Sequence, residues 1–214
     1  GAARGVFVNN LVDTPDTTLT VFQLHVFDGD VAVETGNDMV FDGAPFFSPN
    51  RDPQFEPFEM DNPGDITLTA PNGIITLQNA DLDDPVGFDN AADVLFDGPV
   101  VVALNQQFAQ QATTGLLQAQ TVAFNQSLTT EIPFEIDATG DVDVVGAIVF
   151  GAQAVIAGDA LDFQAPVTLG GDTNIDGQTI TFNDTIASDD AGDHSLSLDT
   201  SGDAADWSLL AFDI

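Results

Sequence analysis

Ala165-Pro166-Val167-Thr168-Leu169-Gly170-Gly171-Asp172-Thr173-Asn174-Ile175, then Gln178-Thr179-Ile180-Thr181-Phe182-Asn183-Asp184-Thr185-Ile186, is the stretch from which the fold is read. Apolar residues alternate with Thr, Asn and Asp for a few positions before a break containing Gly, Asp or Pro. Such alternation places apolar side chains on one face of a short strand and polar ones on the other. At the breaks, Gly permits positive φ, while Asp and Asn bond their own main chain, so each break is a turn.

The same texture extends upstream. An apolar residue, any residue, Phe and then a turn former recur at His25-Val26-Phe27-Asp28-Gly29, Met39-Val40-Phe41-Asp42-Gly43, Val86-Gly87-Phe88-Asp89-Asn90 and Val94-Leu95-Phe96-Asp97-Gly98. Further copies stand at Val122-Ala123-Phe124-Asn125, Ile148-Val149-Phe150-Gly151 and Leu161-Asp162-Phe163-Gln164. Units without Phe, such as Ile66-Thr67-Leu68-Thr69 and Ile74-Ile75-Thr76-Leu77, lie between them. Recurring short strands predict a solenoid, in which each unit buries its apolar face on its neighbours. The Phe spacing is uneven: Phe96, Phe124, Phe150 and Phe182 are separated by 28, 26 and 32 residues, with Phe163 interposed. A β-sandwich, which needs no repeat, therefore stays open as the alternative.

One segment, Gln106-Gln107-Phe108-Ala109-Gln110-Gln111-Ala112, has some helical character and is expected as strand or loop. Residues 1–214 read as a single β-rich domain with one Pro/Phe-rich excursion at 44–63. Proline forbids regular ladder pairing. The phenylalanines of the excursion, Phe46, Phe47, Phe55 and Phe58, either cover one side of the core or form an interface with a neighbouring domain or an identical subunit.

Charge bounds the partners. There are 35 acids against two arginines, no lysine, and a net charge of -33. Nucleic acid and anionic lipid are excluded, since binding polyanions needs Lys and Arg. Hydrophobic content of 43% with 17 Phe excludes the disorder that acidic composition otherwise suggests. Absence of cysteine removes disulfides and thiolate chemistry, and no apolar run reaches bilayer-spanning length. The missing lysine and the acidic surface point to a secreted or cell-surface location. Both ends read as cut from a larger protein.

The units around 165–186, with His194-Ser195-Leu196-Ser197-Leu198 and Gly64-Asp65-Ile66-Thr67-Leu68, resemble the repeats of filamentous-haemagglutinin-like and autotransporter-like bacterial surface proteins. The resemblance covers roughly 64–84 and 120–205, fades over the first 60 residues, and departs at Asp184, where Gly is commoner. It implies an all-β, right-handed parallel β-helix. The passengers of such proteins include adhesins, enzymes and inert stalks, so the resemblance speaks to architecture first.

Acid clusters are the remaining candidates for chemistry. Asp81, Asp83 and Asp84, then Asp189, Asp190 and Asp193, place carboxylates close together in turn-rich sequence. Hard oxygen ligands at this density suit Ca²⁺. The competing reading is solvated turn acids in a salt-adapted chain. No phosphate loop or Cys/His set occurs, and the two histidines, His25 and His194, read as ordinary surface or edge residues. Arg4 and Arg51 alone argue against a polyuronate lyase, which needs bases to abstract a proton and neutralise substrate. The expectation is a non-catalytic structural or adhesive rod. The alternative is a carbohydrate-active or glycan-binding β-helix module, marked by exposed aromatics beside paired carboxylates.

Overall fold

The computed structural model describes residues 6–10, 17–21, 24–26, 29–42, 58–60, 64–79, 86–104, 115–189, 194–200 and 212–213. Alternating sequence yields strands throughout these residues and no helix among them. The chain winds through successive turns, each visiting three faces. The first turn carries β1 (Val6–Asn10), β2 (Leu19–Val21) and β3 (Leu24–Val26). The second carries β4 (Val31–Thr35), β5 (Met39–Asp42) and β6 (Phe58–Met60). The third has β7 (Ile66–Thr69), β8 (Ile75–Asn79) and the opening of β9 (Val86–Asp97), which bends and begins the fourth turn. After β10 (Val100–Leu104), β11 (Gly115–Phe124) makes the same bend into the fifth turn, completed by β12 (Leu128–Thr130) and β13 (Phe134–Ala138). The sixth comprises β14 (Val142–Val144), β15 (Ile148–Phe150) and the start of β16 (Ala154–Phe163). β16 leads into β17 (Val167–Leu169) and β18 (Thr173–Phe182), and β18 into β19 (Ile186–Ser188), β20 (Leu196–Asp199) and finally β21 (Phe212–Asp213).

Each strand pairs in parallel with its equivalent one turn away. The first and third faces merge into one 12-stranded sheet, and the second is a 9-stranded sheet in chain order, β2-β5-β8-β10-β12-β15-β17-β19-β21. This is a parallel β-helix solenoid. A β-sandwich of antiparallel pairs is thereby excluded. On the first face one inward row runs Val31, Ile66, Val94, Val122, Val142, Leu161, Ile180. Two residues on, a second runs Val33, Leu68, Phe96, Phe124, Val144, Phe163, Phe182. On the second face the row is Leu19, Met39, Ile75, Val100, Leu128, Ile148, Val167, Ile186.

These rows fill the interior. Phe41, Phe96, Phe124, Phe134, Phe150 and Phe163 are fully buried, and each such burial contributes about 1.5–3 kcal/mol. Phe96 stacks on Phe124 with centroids 4.8 Å apart and planes 4° from parallel; Phe163 stacks on Phe182 at 4.9 Å. That separation is the spacing of neighbouring strands, so in-register pairing imposes the ring geometry.

The rows also explain the uneven Phe spacing. Phe150 belongs to the second face, whereas Phe96, Phe124, Phe163 and Phe182 belong to the first, with Val144 in the intervening position. Counted along one row, the turns from Val122 to Val142, Leu161 and Ile180 take 20, 19 and 19 residues.

One expectation meets the structure in part and another falls outside it. Within 44–63, Phe58–Met60 is a parallel strand paired to β3 and β9; 44–57 and 61–63 lie outside the described residues, as does 106–112.

Candidate functional site

Extra residues enter the helix mainly at one corner. In the regular turns, residues 131–133, 151–153 and 170–172 lead from the second face to the third; in other turns the same step takes 43–57, 80–85, 105–114 and 189–195. Closure entropy grows only with the logarithm of length, so a rigid scaffold tolerates such insertions, and segments of this kind commonly carry function. In sequence, every predicted site residue belongs to one of these links or, for Phe58, to the strand that follows one. Phe46, Phe47 and Phe55 belong to 43–57, with Phe58 opening β6; Asp81, Asp83 and Asp84 belong to 80–85; Asp189, Asp190 and Asp193 belong to 189–195. Of these, Asp189 is described with its side chain and Phe58 by its strand alone; the other eight lie outside the described residues. The strands preceding the two acidic groups, β8 and β19, stand five rungs apart in the second sheet, roughly 24 Å at ~4.8 Å per rung. The groups therefore attach to the scaffold at separate places.

Asp189 and its neighbours form the best-defined part of this corner. The Asp189 amide donates to the Leu169 carbonyl of the preceding turn at 2.8 Å. Its Oδ1 lies 3.1 Å from Nε2 of His194, a ring that is 18% exposed. Ser195 donates twice, from its amide and from its hydroxyl, to Oδ1 of Asp172 in the turn below, both at 2.9 Å. These two bonds, with His194 adding to them, hold the Asp172 carboxyl below its ordinary range against a smaller opposing effect of burial. Gly170 makes room beneath: a Cβ there would stand 2.9 Å from Asp189 Oδ2 and from the Phe150 carbonyl. The geometry describes a latch that ties the link after β19 to the turn below. It is not a serine–histidine relay, because the Ser195 hydroxyl bonds Asp172 while the His194 ring bonds Asp189. Among the described residues no group of three His, Cys, Asp or Glu side chains is arranged to hold a metal.

The carboxylates outside this corner follow a rule the sequence did not reveal. Many accept hydrogen bonds from neutral donors one turn away: Asp93 from Thr121, Asp97 from Asn125, Asp137 from Gln118, Asp159 from Gln178 and Asp162 from Asn183. Asp38 accepts from the Ile74 amide and Asp30 from the Asp65 amide. Amides and hydroxyls thus satisfy the oxygens without neutralising the charge. The donors stand well away in sequence, up to 36 residues, so only knowledge of the register would have located them.

Asp143 stands in register with Asp162. Burial, then Asp162, then Asp141 push its carboxyl above the ordinary range. His25 sits in β3 in register with Glu59, and Glu59 with Asp89. Comparison of the chain with protein-family models, with curated proteins and with solved structures gave no match.

Proposed function

We propose that this chain is a structural segment of a secreted or cell-surface protein, a non-catalytic β-helical rod that spaces, displays or joins neighbouring domains or identical subunits, as in adhesin-like surface repeats. The observation that carries this reading is the continuity of the ladder. One inward register runs from Val31 to Ile180 without interruption, while the long links into the third face all arise at one corner. Continuous parallel pairing makes an extended stiff body whose ends stack on further repeats, and the acidic exterior keeps such a body soluble. Its nine rungs span roughly 38 Å at ~4.8 Å each.

Calcium belongs to this reading as a stabiliser of the acidic exterior and of the acid-rich links at 80–85 and 189–193. Thermal unfolding followed by circular dichroism tests it, with CaCl₂, MgCl₂ and NaCl compared at matched ionic strength. A ligand that binds only the folded state raises Tm with its concentration. A rise specific to Ca²⁺ supports ion sites; equal responses to all three salts reduce the effect to screening and remove calcium from the proposal. Small-angle scattering and a panel of polysaccharide resins test the rod itself. An elongated particle with no retention is expected, and retention competed by a soluble oligosaccharide transfers the chain to the glycan-binding class.

A further inference from the structure

The outward side of the first face changes character along the axis. Its central column, one residue per rung in continuous register, reads Phe7, Ala32, Thr67, Leu95 and Ala123, then Asp143, Asp162 and Thr181. The first five positions carry no charge in a chain of net charge -33. They begin at Phe7, which at 72% is the most exposed large apolar side chain among the described residues. Acids line both sides of this stripe. Asp30, Asp65 and Asp93 stand two residues before the column on successive rungs, and Glu34 and Asp97 stand two residues after it. The bonds that Asp30, Asp93 and Asp97 accept come from an amide, a hydroxyl and a side-chain amide, so their charges remain. Beyond Ala123 the column itself turns acidic, with Asp143 and Asp162 in register.

We infer that this column is the docking surface for a basic amphipathic helix of a partner protein. The helix lays its apolar stripe on Phe7 to Ala123 and its Lys or Arg side chains over the flanking acids and the Asp143/Asp162 pair. The dimensions suit a helix. Rungs about 4.8 Å apart nearly match a helical turn of about 5.4 Å, and four rung steps cover roughly 19 Å, about 13 helical residues. The acidic flanks, two residues to each side, stand roughly 13 Å apart and bracket a helix about 10–12 Å wide. A sheet face buries its apolar side against a helix in this way. Charge selects the partner. Nucleic acid and anionic lipid are repelled, and a neutral glycan leaves the acids unanswered. A second copy, with two Lys and Arg residues in all, has no basic stripe to offer. A cation over Asp143 also offsets the repulsion from Asp162 and Asp141 that, behind burial, raises its carboxyl. Such docking goes beyond a rod that spaces or displays, and it does not depend on the particle's being elongated.

Fluorescence anisotropy in about 0.15 M NaCl tests the docking with a labelled synthetic peptide of leucine and lysine. One peptide places leucine at helical spacing along one face, and a second has the same composition scrambled. The patterned peptide should bind roughly tenfold more tightly than the scrambled one. Leu95→Glu should weaken the patterned peptide by roughly tenfold, with a melting curve matched to wild type. This variant separates the stripe from general attraction, because an added acid would otherwise tighten the binding of a cation. Phe7→Ser, at a side chain already in solvent, repeats the test without disturbing the core and should weaken binding in the same direction. Val149→Glu, on the second face, should leave binding unweakened. Absence of binding, equal binding of the two peptides, or a Leu95→Glu variant that binds as well as wild type overturns the inference. So does a Val149→Glu variant as defective as Leu95→Glu.

Discussion

Two regions of the solenoid obey one register with different economies of chain. From Val122 to Ile180 the first-face row recurs every 19 or 20 residues, whereas from Val31 to Ile66, Val94 and Val122 the steps are 35, 28 and 28. Inside, the regions match: Phe41 in the second turn is as fully buried as Phe163 in the seventh. What differs is confined chiefly to the links between the second and third faces. The interior fixes the fold while that corner varies, because inward positions must fill a shared core and a link between fixed strand ends gains length cheaply.

The most severe test of this equivalence removes one buried ring from each region. Phe41→Ala and Phe163→Ala should each cost about 3–5 kcal/mol in urea unfolding. Both should leave a single transition, since each turn is stabilised through its neighbours. Hydrogen exchange read turn by turn sharpens the result. If Phe41→Ala releases the early turns while the region after Val122 keeps its protection, the regions are separate cooperative units and the comparison breaks.

A second pair contrasts the same corner, between the first and second faces, in the two regions. A Cβ on Gly146 would lie 2.3 Å from the Gln126 carbonyl carbon, whereas one on Gly36 meets nothing within 4 Å. Turns approach here backbone to backbone in both regions, since a Cβ on Gly73 would meet the Asn37 backbone, and the Gly36 turn is the open one. Gly146→Ala should therefore cost roughly 2–3 kcal/mol. Gly36→Ala should be neutral or stabilise by up to about 1 kcal/mol through the unfolded chain. Thermal melts of the two variants decide it, and equal losses would mean that the Gly36 turn is as tightly stacked as the Gly146 turn.

The regular region is also where the sequence was most legible. Val167-Thr168-Leu169 and Thr173-Asn174-Ile175 announce in and out by strict alternation, and both became the strands expected. Phe is a misleading marker of the repeat length. Val144 replaces Phe on the first face and Phe150 supplies one on the second, so Phe alone mixes two rows. The pairs Val122/Phe124, Val142/Val144, Leu161/Phe163 and Ile180/Phe182 carry the true period. Site chemistry was less legible still. An acid's partner in a solenoid stands one turn away in space and a variable distance away in sequence, so neither the Asp93–Thr121 bond nor the Asp143–Asp162 juxtaposition shows locally.

Thr130 is a flaw within the regular region. It is fully buried in the row that holds Val102 and Phe150, and its hydroxyl finds no partner. An unsatisfied buried hydroxyl costs about 1–3 kcal/mol, and valine keeps the shape. Thr130→Val should therefore stabilise by about 1 kcal/mol in urea unfolding. A loss of stability would show that the hydroxyl is satisfied in solution, and that the regular region tolerates polar groups as the corner does.

The smallest effect concerns whether the outside of the regular region is as settled as its core. Asp162 is held by Asn183 and Gln164, but its in-register neighbour Asp143 has its carboxyl raised above the ordinary 3.8, first by burial and then by Asp162 and Asp141. A raised folded-state value means that the fold binds more protons than the unfolded chain just above pH 3.8. This contribution to stability therefore falls as pH rises through that window, and the whole penalty is present at neutral pH. Asp143→Asn removes it: Tm should rise by roughly 1–2 °C at neutral pH and low salt, with no gain below the carboxylate range. Salt separates the causes, because screening weakens the repulsion from Asp162 and Asp141 but not the loss of hydration on burial. A gain that vanishes in high salt would place repulsion ahead of burial and mark Asp143 as an ordinary member of an overcharged surface; a gain that persists would make it the one described carboxylate whose cost is set by the packing of the turns.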